Sequence, residues 1–305
     1  MSGKVLVPTV VALGYFDCVH LGHRKVIETA KSLAEELNAQ LTVFTFGGNL
    51  RAMISRKDDK FVYSTDERKE ILSEMGVNSV FVQRVDFDFL SMGKLAYLNW
   101  INKKFDIKGY VCGADYKFGM FAKGTVEDLA KYAETNSQVL KIVDAVDDNG
   151  KRVSTSRIKT LLSAGDIKGA NALLVRPYSI MGAVVRGKGI GGSLGFPTAN
   201  LKLEKHKQPL REGVYGGHVV LDGTRYEAVI NFGSRPTFGE TDTVIDAHIL
   251  DFNGDLYGKR ITLFFDEYIR EIRKFFSEEE LKKQVTSDVE TISRNRGKSV
   301  KEVKN

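Results

Sequence analysis

Two histidines, His20 and His23, follow an apolar run at Thr9–Leu13 and precede a segment with helical periodicity. This order places both imidazoles at a turn from a strand into a helix, with Gly22 between them. The first turn of a helix exposes free N–H groups and the positive end of the helix dipole, where phosphate groups bind readily. The spacing therefore indicates phosphate chemistry, although two histidines in this arrangement also occur simply as surface or capping residues.

Two further segments carry polar groups that suit a nucleotide. The segment Ser154–Lys159 places hydroxyl groups where they can cap a helix and puts Arg157 in its first turn. The sequence leaves open that this is only a capped helix with a surface arginine. Asp115 follows an expected strand at Gly109–Cys112, and in open parallel sheets ligands bind at that carboxyl edge.

The composition sets the broad class of the chain. A length of 305 residues is more than one hydrophobic core usually supports, so two domains are expected. Lysine and arginine number 45 against 39 aspartates and glutamates, and the net charge of +6 suits anionic ligands but is spread too evenly to favour nucleic acid. No apolar run approaches the roughly 18 residues of a membrane span, and no cleavage site follows the short apolar N-terminus. Neither membrane insertion nor secretion is predicted.

The chain has two cysteines, Cys18 and Cys112, which lie far apart in the sequence. No third or fourth ligand stands at zinc spacing from either of them. This cysteine usage predicts a reduced, cytoplasmic protein. The sequence does not predict an oligomeric state.

The first 176 residues alternate apolar strand-like runs with amphipathic helices, which predicts parallel strands joined by crossovers. A possible capping box, Ser64 with Glu67, marks the start of one helix. The strands are expected at 9–13, 40–46, 79–82, 109–112 and in a segment ending near 143. The helices are expected at about 26–37, 64–75 and 94–105, from about 125, from 154, and at 167–174.

At Pro177 the helical periodicity gives way to short strand-like runs separated by Gly, Asn and Asp. We therefore expect two domains, 1–176 and 177–305. The second should be a small antiparallel barrel followed by a helix that begins near Ser277, with Glu280 completing its cap. The barrel strands are expected at 180–185, 213–221, 225–231, 243–250 and 259–265.

The barrel half also contains a glycine-dense loop with Gly187, Gly189 and Gly192 in GxGxxG spacing. A dinucleotide fingerprint needs a helix directly after the glycines, which Pro197 disfavours. The segment also misses the phosphate-loop pattern, because Gly189 stands where Ser or Thr must hold magnesium. The two remaining interpretations are a basic loop whose N–H groups wrap phosphates and a simple mobile hairpin.

Longer motifs connect these features to known families. His20 and His23 match the HxGH signature of the nucleotidylyl transferase superfamily. Leu194–Leu201 closely resembles the PTAN signature of riboflavin kinases, and Gly213–Tyr215 with Asn231–Phe238 resembles their later strands. Taken together and in this order, the motifs resemble the bifunctional prokaryotic riboflavin kinase and FAD synthetase (FMN adenylyltransferase) family over nearly the whole chain.

The resemblance implies a Rossmann-like α/β nucleotidylyl-transferase domain of the HxGH type, followed by a small antiparallel β-barrel riboflavin-kinase domain with a terminal helix. The barrel would phosphorylate riboflavin to FMN, and the N-terminal domain would adenylylate FMN to FAD with release of pyrophosphate. The chain would then be a transferase that takes ATP, riboflavin and FMN as small-molecule partners and Mg²⁺ as its cofactor.

The resemblance also implies roles for individual residues. His20 and His23 would act in adenylyl transfer, and Asp246 would accept the proton of the flavin ribityl hydroxyl. Thr198 and Asn200 match the magnesium ligands, which are hard oxygen donors. Residues implied in ATP binding are Gly14, Phe16, Asp17, His20, His23, Ser156, Arg157, Gly187, Gly195 and Thr198. Residues implied in flavin binding are Asp115, Phe118, Tyr215 and Arg270.

The chain departs from the family pattern at several positions. Cys18 replaces a glycine, 154–156 reads Ser-Thr-Ser instead of Ser-Ser-Thr, and no Pro-His-Pro follows Phe46. Asp246 replaces a glutamate, which places the carboxylate about 1 Å back. These departures leave two alternatives open, namely an enzyme with only one of the two activities and a non-catalytic flavin-binding regulator.

Overall fold

The computed structural model describes residues 6–48, 60–187, 196–235 and 240–302. They form two compact units. The first unit comprises the chain up to Arg157 together with Leu173–Val175, and the second comprises Ile158–Ala172 and the chain from Arg176 onward. The domain boundary expected between residues 176 and 177 stays a prediction.

The first unit is built on a parallel sheet. Its strands are β1 (Pro8–Leu13), β2 (Gln40–Phe46), β3 (Ser79–Gln83), β4 (Asp106–Gly113) and β5 (Val139–Val143). Their order across the sheet is β3, β2, β1, β4, β5, and all neighbours run parallel. Strand β1 is buried from Thr9 to Leu13, as expected for a parallel sheet with helices on both faces. The expected parallel α/β architecture is confirmed.

The helices before the barrel begin largely where the sequence predicted them. Ser64 with Glu67 and Thr125 with Asp128 form capping boxes, with both reciprocal hydrogen bonds present in each. The sequence did not predict α3 or a short hairpin, β6 (Asp147–Asp148) with β7 (Lys151–Arg152). The helices are α1 (Leu21–Glu36), α2 (Thr65–Glu74), α3 (Phe87–Leu90), α4 (Lys94–Lys104), α5 (Val126–Thr135), α6 (Thr155–Ala164) and α7 (Ile167–Leu173).

The second unit contains a closed antiparallel barrel and a terminal helix, as expected. The elements are β8 (Ser179–Val185), β9 (Thr198–Leu201), β10 (Gly213–Leu221), β11 (Thr224–Arg235), β12 (Glu240–Ile249), β13 (Arg260–Arg270) and α8 (Glu278–Glu302). The order around the barrel is β10, β11, β12, β9, β8, β13. Strand β9 was not predicted, and β11 and β13 are longer than predicted. A four-residue strand that follows a proline gives too short a periodic signal to detect.

Aromatic side chains fill the barrel. Tyr215, Phe232 and Phe265 lie on three strands and are almost fully buried. The rings of Phe232 and Phe265 are 6.4 Å apart, although β10 separates their strands, so they meet inside the barrel. Because side chains alternate along a strand, the residues next to these three point to the outer face.

A buried arginine joins the ends of β1 and β2 in the first unit. Arg68 is 2% exposed. Its guanidinium donates to the carbonyl oxygens of Tyr15 and Phe46, both at 2.8 Å, and to the hydroxyl of Thr45 at 3.0 Å. A buried cation is tolerated only when such acceptors surround it. Arg68 therefore fixes the carboxyl edge of the sheet next to the histidine motif.

No helix among the described residues is both long enough and apolar enough to cross a membrane.

We expect Arg68→Met to lower the free energy of unfolding of the first unit by about 3 kcal/mol, because buried acceptors lose their donors. Unfolding in urea can be followed through Trp100, the single tryptophan, which packs against the core of this unit. The matched control is Lys69→Met, which removes a cation from the exposed neighbouring position. Equal stability of the two variants would contradict this role of Arg68.

Candidate active sites

The two histidines of the motif cap the start of α1 reciprocally. His20 is the N-cap residue, and its Nδ1 accepts a hydrogen bond of 3.2 Å from the backbone N–H of His23. The Nδ1 of His23 accepts a bond of 3.3 Å from the backbone N–H of His20. The rings stack with their centroids 3.7 Å apart and their planes 4° from parallel. The pair thus forms a capping box made of two imidazoles.

These two hydrogen bonds determine the tautomer of each ring. A ring nitrogen that accepts an N–H carries no proton, so the proton of the neutral imidazole lies on Nε2. His20 and His23 therefore both offer an Nε2–H donor beside the helix start. The free N–H groups of the first helical turn add further donors. This arrangement suits phosphate oxygens on which negative charge develops.

Burial keeps His20 neutral. It lowers the pKa of His20 from 6.5 to about 4, and the imidazole is only 8% exposed. A hydrogen bond to the backbone works against this shift, and the charges of Arg152 and Asp115 act in opposite directions. At neutral pH, His20 is therefore a hydrogen-bond donor and not a cation.

Gly22 lies directly against the first histidine. A Cβ at Gly22 would come within 3.0 Å of Cε1 and 3.2 Å of Nδ1 of His20. A side chain at this position would therefore crowd the imidazole by a few tenths of an ångström. Glycine between the two histidines gives the ring the room that the cap uses.

The loop before α1 has a strained backbone. Phe16 has φ 52° and Val19 has φ 41°, which is the left-handed region that costs energy for residues with a side chain, above all for β-branched ones. Cys18 is not among the residues with positive φ. Its Cβ therefore does not strain the turn, although the family pattern has glycine there.

Several contacts hold this loop in place. Asp17 accepts a hydrogen bond of 3.0 Å from the backbone N–H of Val62, and its own carbonyl accepts one from Tyr63. The carbonyl of Val19 accepts a bond of 3.1 Å from Val175. Gly14 lies at the end of the strand, where a Cβ would meet the Phe16 ring at 2.9 Å. These contacts make Gly14, Phe16 and Asp17 parts of the loop's framework.

The start of α6 carries the second group of expected phosphate ligands. Ser154 accepts a hydrogen bond from the backbone N–H of Arg157, which confirms the expected cap, and Ser156 is exposed. The guanidinium of Arg157 binds the carboxylate of Asp148 at 2.6 Å and the carbonyl of Lys151 at 3.0 Å. The sequence gave no signal for this pairing, because the hairpin that supplies the acceptors was not predicted.

The two flavin residues expected in the first unit have different surroundings. Asp115 lies in the exposed turn after β4 and pairs with Arg152 at 2.6 Å. Phe118 is only 5% exposed and packs in the core, with its ring 5.2 Å from that of Tyr97. The family's Pro-His-Pro would follow Phe46. Residues 49–59 lie outside the described residues.

The expected kinase residues come together on the outer face of the barrel. Asp246 on β12 stands directly opposite Asn200 on β9 and Asn231 on β11. Directly opposed residues of antiparallel strands share a face, with Cβ atoms about 5 Å apart. The three side chains thus form one polar row. Asn231 was not among the expected site residues, and the pairing register is the signal that reveals it.

The side chain of Asn200 packs against the glycine-dense loop. Its amide nitrogen donates to the carbonyl of Thr198 at 3.2 Å. A Cβ at Gly187 would lie 2.5 Å from Oδ1 of Asn200, so only glycine leaves room for this amide. Thr198 and Asn200 are two apart on β9 and present their oxygens on one face. Gly195 lies outside the described residues.

A cavity of about 140 Å³ adjoins Thr198. It is lined by Pro197, Ala199 and Ala247 and by a segment that follows β12, which includes Leu256 and Tyr257. Because Ala199 and Ala247 alternate with Asn200 and Asp246, the strand face that lines this recess is the one opposite the polar row. Its lining suits the ring system of a small ligand.

The other two flavin residues serve the barrel's own structure. Tyr215 is fully buried and donates its hydroxyl to the carbonyl of Arg211. Arg270 forms a forked pair with Asp288 of α8, with Nε at 2.9 Å from one carboxylate oxygen and a terminal nitrogen at 2.7 Å from the other. Asp288 is 2% exposed, so this pair anchors the terminal helix. The flavin roles of both residues stay predictions.

Donor atoms of Cys18, His20 and His23 lie within 4.8 Å of one another. The parallel stacking of the two rings prevents both nitrogens from pointing their in-plane lone pairs at one ion. Sulfur and nitrogen also do not suit magnesium, which prefers oxygen. This cluster is therefore not the expected magnesium site.

Comparisons with known proteins match each unit to a family. An FAD synthetase model matches residues 4–157, and a riboflavin kinase model matches residues 174–295. The chain belongs to the bifunctional riboflavin kinase/FMN adenylyltransferase family. A relative from Bacillus subtilis (strain 168) bearing that name is 33% identical, over 92% of this chain and 90% of its own. One from Listeria monocytogenes is 31% identical over the same shares.

A solved structure covers nearly the whole chain. It is from Streptococcus pneumoniae and titled as a macrolide-efflux protein, with a TM-score of 0.83 and 30% identity over 95% of each chain. The family and this match agree with the α/β unit, the closed barrel and the terminal helix. The chain is a transferase with a domain for each of the family's two activities.

We expect Gly22→Ala to lower the rate of FAD formation from FMN about tenfold, because a displacement of a few tenths of an ångström moves the His20 donor out of line. Phosphorylation of riboflavin should not change. Gly93→Ala is the matched control, because a Cβ there meets open space. Products can be separated by chromatography, and equal FAD rates for both variants would contradict the packing role of Gly22.

The lowered pKa of His20 also affects stability. The unfolded chain binds a proton near pH 6.5, whereas the folded chain binds it only near pH 4. Stability is therefore complete above pH 6.5 and falls between pH 6.5 and 4, by up to about 3 kcal/mol. We expect His20→Gln to lack this part of the pH dependence when unfolding is followed through Trp100. Parallel curves for the two proteins would argue against a buried neutral His20.

Proposed function

We propose that the two units perform two successive ATP-dependent transfers at separate sites. The barrel transfers the γ-phosphoryl group of ATP to riboflavin and forms FMN. The α/β unit transfers the adenylyl group of a second ATP to FMN and forms FAD and pyrophosphate. The observation that supports the second step best is the reciprocal histidine cap, which aims two Nε2–H donors beside a helix N-terminus.

In adenylyl transfer, an oxygen of the FMN phosphate attacks the α-phosphorus of ATP and pyrophosphate leaves. No protein nucleophile is needed, so positioning and electrostatics carry the catalysis. His20 and His23 donate to oxygens of the α-phosphate and the departing pyrophosphate. Neutral donors stabilise the charge that develops there and also allow the product to leave.

The residues proposed for ATP binding in this unit fall into two groups. Gly14, Phe16 and Asp17 shape the strained loop that carries the histidines. Ser156 is exposed in the first turn of α6, where its hydroxyl and the free N–H groups can bind phosphate oxygens. Arg157 takes part by exchanging the carboxylate of Asp148 for a phosphate.

In the kinase step, the carboxylate of Asp246 accepts the proton of the ribityl hydroxyl while the hydroxyl oxygen attacks the γ-phosphorus of ATP, and ADP leaves as the bond from the γ-phosphorus to the bridging oxygen breaks. Thr198 and Asn200 would hold Mg²⁺, and the space that Gly187 leaves beside the Asn200 amide oxygen supports this assignment. When bound, Mg²⁺ offsets charge on the transferred phosphoryl group. Asn231 lies on the other side of Asp246 in the polar row and orients its carboxylate.

The remaining assignments rest on the family resemblance. We propose Asp115, Phe118, Tyr215 and Arg270 for flavin binding. Asp115 would contact the flavin directly, and the other three would form walls of the flavin-binding sites. Gly187 and Gly195 are proposed to contact ATP in the kinase. A cytoplasmic location also remains a proposal, supported by two cysteines that form no disulfide bond.

Pyrophosphate release separates this function from the alternatives. A non-catalytic flavin-binding regulator has no need of a histidine cap in one unit and a carboxylate with two oxygen ligands in the other. It would release no pyrophosphate when mixed with ATP and FMN. An enzyme with only one activity would form FMN from riboflavin without FAD, or FAD only from supplied FMN.

We expect Asp246→Asn to slow riboflavin phosphorylation at least about a hundredfold, because the proton acceptor is lost. FAD formation from supplied FMN should stay at the wild-type rate. Asp246→Glu keeps the carboxylate and should retain kinase activity. Both steps can be measured on each purified variant with ATP and magnesium.

The matched control for this test is Asp222→Asn, which makes the same change of charge in the exposed turn between β10 and β11. It should leave both rates unchanged. Wild-type phosphorylation by the Asp246→Asn variant would contradict the role of Asp246 as the base.

A further inference from the structure

Two positions at which the chain departs from the family pattern are in direct contact. The sulfur of Cys18 shares a hydrogen bond of 3.3 Å with the hydroxyl oxygen of Thr155, although the residues lie 137 positions apart. Cys18 is fully buried and Thr155 is 6% exposed. The cysteine in place of glycine and the reordered Ser-Thr-Ser therefore form one structural feature rather than two separate losses.

This contact joins the two elements that carry the proposed phosphate ligands. Cys18 lies two residues before His20, the N-cap of α1. Thr155 is the first residue of α6 and directly precedes Ser156 and Arg157. The bond between their side chains thus links the starts of two helices. Both ends belong to the first unit.

The position of the loop depends on contacts of this kind. Phe16 and Val19 on either side of Cys18 have positive φ, and such a backbone persists only where its surroundings fix it. A shift of about 1 Å in a catalytic group can cost on the order of a hundredfold in rate. Loss of one neutral hydrogen bond has only a small effect on stability. The effect of this contact on catalysis should therefore exceed its effect on folding.

We propose that Cys18 and Thr155 act as one coupled positioning pair for adenylyl transfer. The pair holds the Nε2–H donors of His20 and His23 at a fixed distance from the hydroxyl of Ser156, so that both groups reach the phosphates of one ATP. Neither residue touches substrate. This inference rests on the function proposed above for the first unit.

A double-mutant cycle tests the pair. Cys18→Ala removes the thiol and Thr155→Val removes the hydroxyl with little change of shape. Each should lower kcat/KM for ATP in FAD formation about tenfold, and the double variant should be no slower than either single one. Cys18→Ser keeps a hydrogen-bonding group and should recover most of the rate.

Three controls keep the test decisive. Riboflavin phosphorylation by the same variants reports on the intact second unit and should not change. Cys112→Ala removes the other buried thiol and should leave FAD formation within about twofold of wild type. Unfolding followed through Trp100 shows whether a slower variant is merely less stable.

The outcomes distinguish failure of the coupled pair from failure of the proposed function. Additive losses in the double variant, or no rescue by Cys18→Ser, would overturn the coupled pair while leaving the proposed function in place. A loss of stability that accounts for the loss of rate would also overturn it. A wild-type protein that forms no FAD from FMN would instead refute the proposed function of the first unit, and the pair's role with it.

Discussion

The reciprocal hydrogen bonds between His20 and His23 are the interaction on which the adenylyl-transfer site depends. Each imidazole uses Nδ1 to satisfy a backbone N–H of the other residue, and this places the proton of each neutral ring on Nε2. A helix start always has unsatisfied N–H groups. Here the residues that satisfy two of them are also the residues proposed to act on the phosphate. Stability of the helix start and orientation of the donors therefore cannot be changed independently.

The surroundings of the cap follow from this requirement. The His20 ring lies so close to the backbone of Gly22 that a Cβ at position 22 would crowd it. Burial then keeps His20 neutral, which preserves Nδ1 as an acceptor. The loop reaches this arrangement through two residues with positive φ, and Arg68 holds the adjoining ends of β1 and β2. The strained loop backbone and the buried Arg68 thus both lie beside the pair of hydrogen bonds between His20 and His23.

The kinase site is organised by strand register instead. Asn200, Asp246 and Asn231 come from three strands and meet because antiparallel pairing places directly opposed residues on one face. A shift of one residue in β12 would turn Asp246 into the barrel interior. The apolar interior opposes such a shift, since a buried carboxylate without a partner is costly. The core of the barrel therefore secures the position of the carboxylate.

Local signals in the sequence predicted much of this structure. Caps at Ser64 and Ser277, the helix start near Thr125, the strand at 40–46 and the barrel were all predicted from residue type and periodicity. Contacts between distant segments were not predictable in this way. The pairing of Arg157 with Asp148 and that of Cys18 with Thr155 depend on tertiary placement, to which no periodic pattern corresponds.

The structural role of the histidine cap was only partly predictable from the sequence. The spacing of His20 and His23 indicated phosphate chemistry, and capping was weighed only as the alternative to it. The structure shows that capping is how the donors become oriented. Sequence reasoning treated capping and phosphate chemistry as competing explanations, whereas the observed cap is compatible with both roles.

Nitrogen-15 NMR of histidine-labelled protein at pH 7 tests this account most directly. The chain has five histidines, and the signals of His20 and His23 can be assigned from His20→Gln and His23→Gln. The account predicts that both are neutral with the proton on Nε2, and that ATP shifts the Nε2 signals more than the Nδ1 signals. A proton on Nδ1 of either ring, or a charged imidazolium at His20, would contradict it.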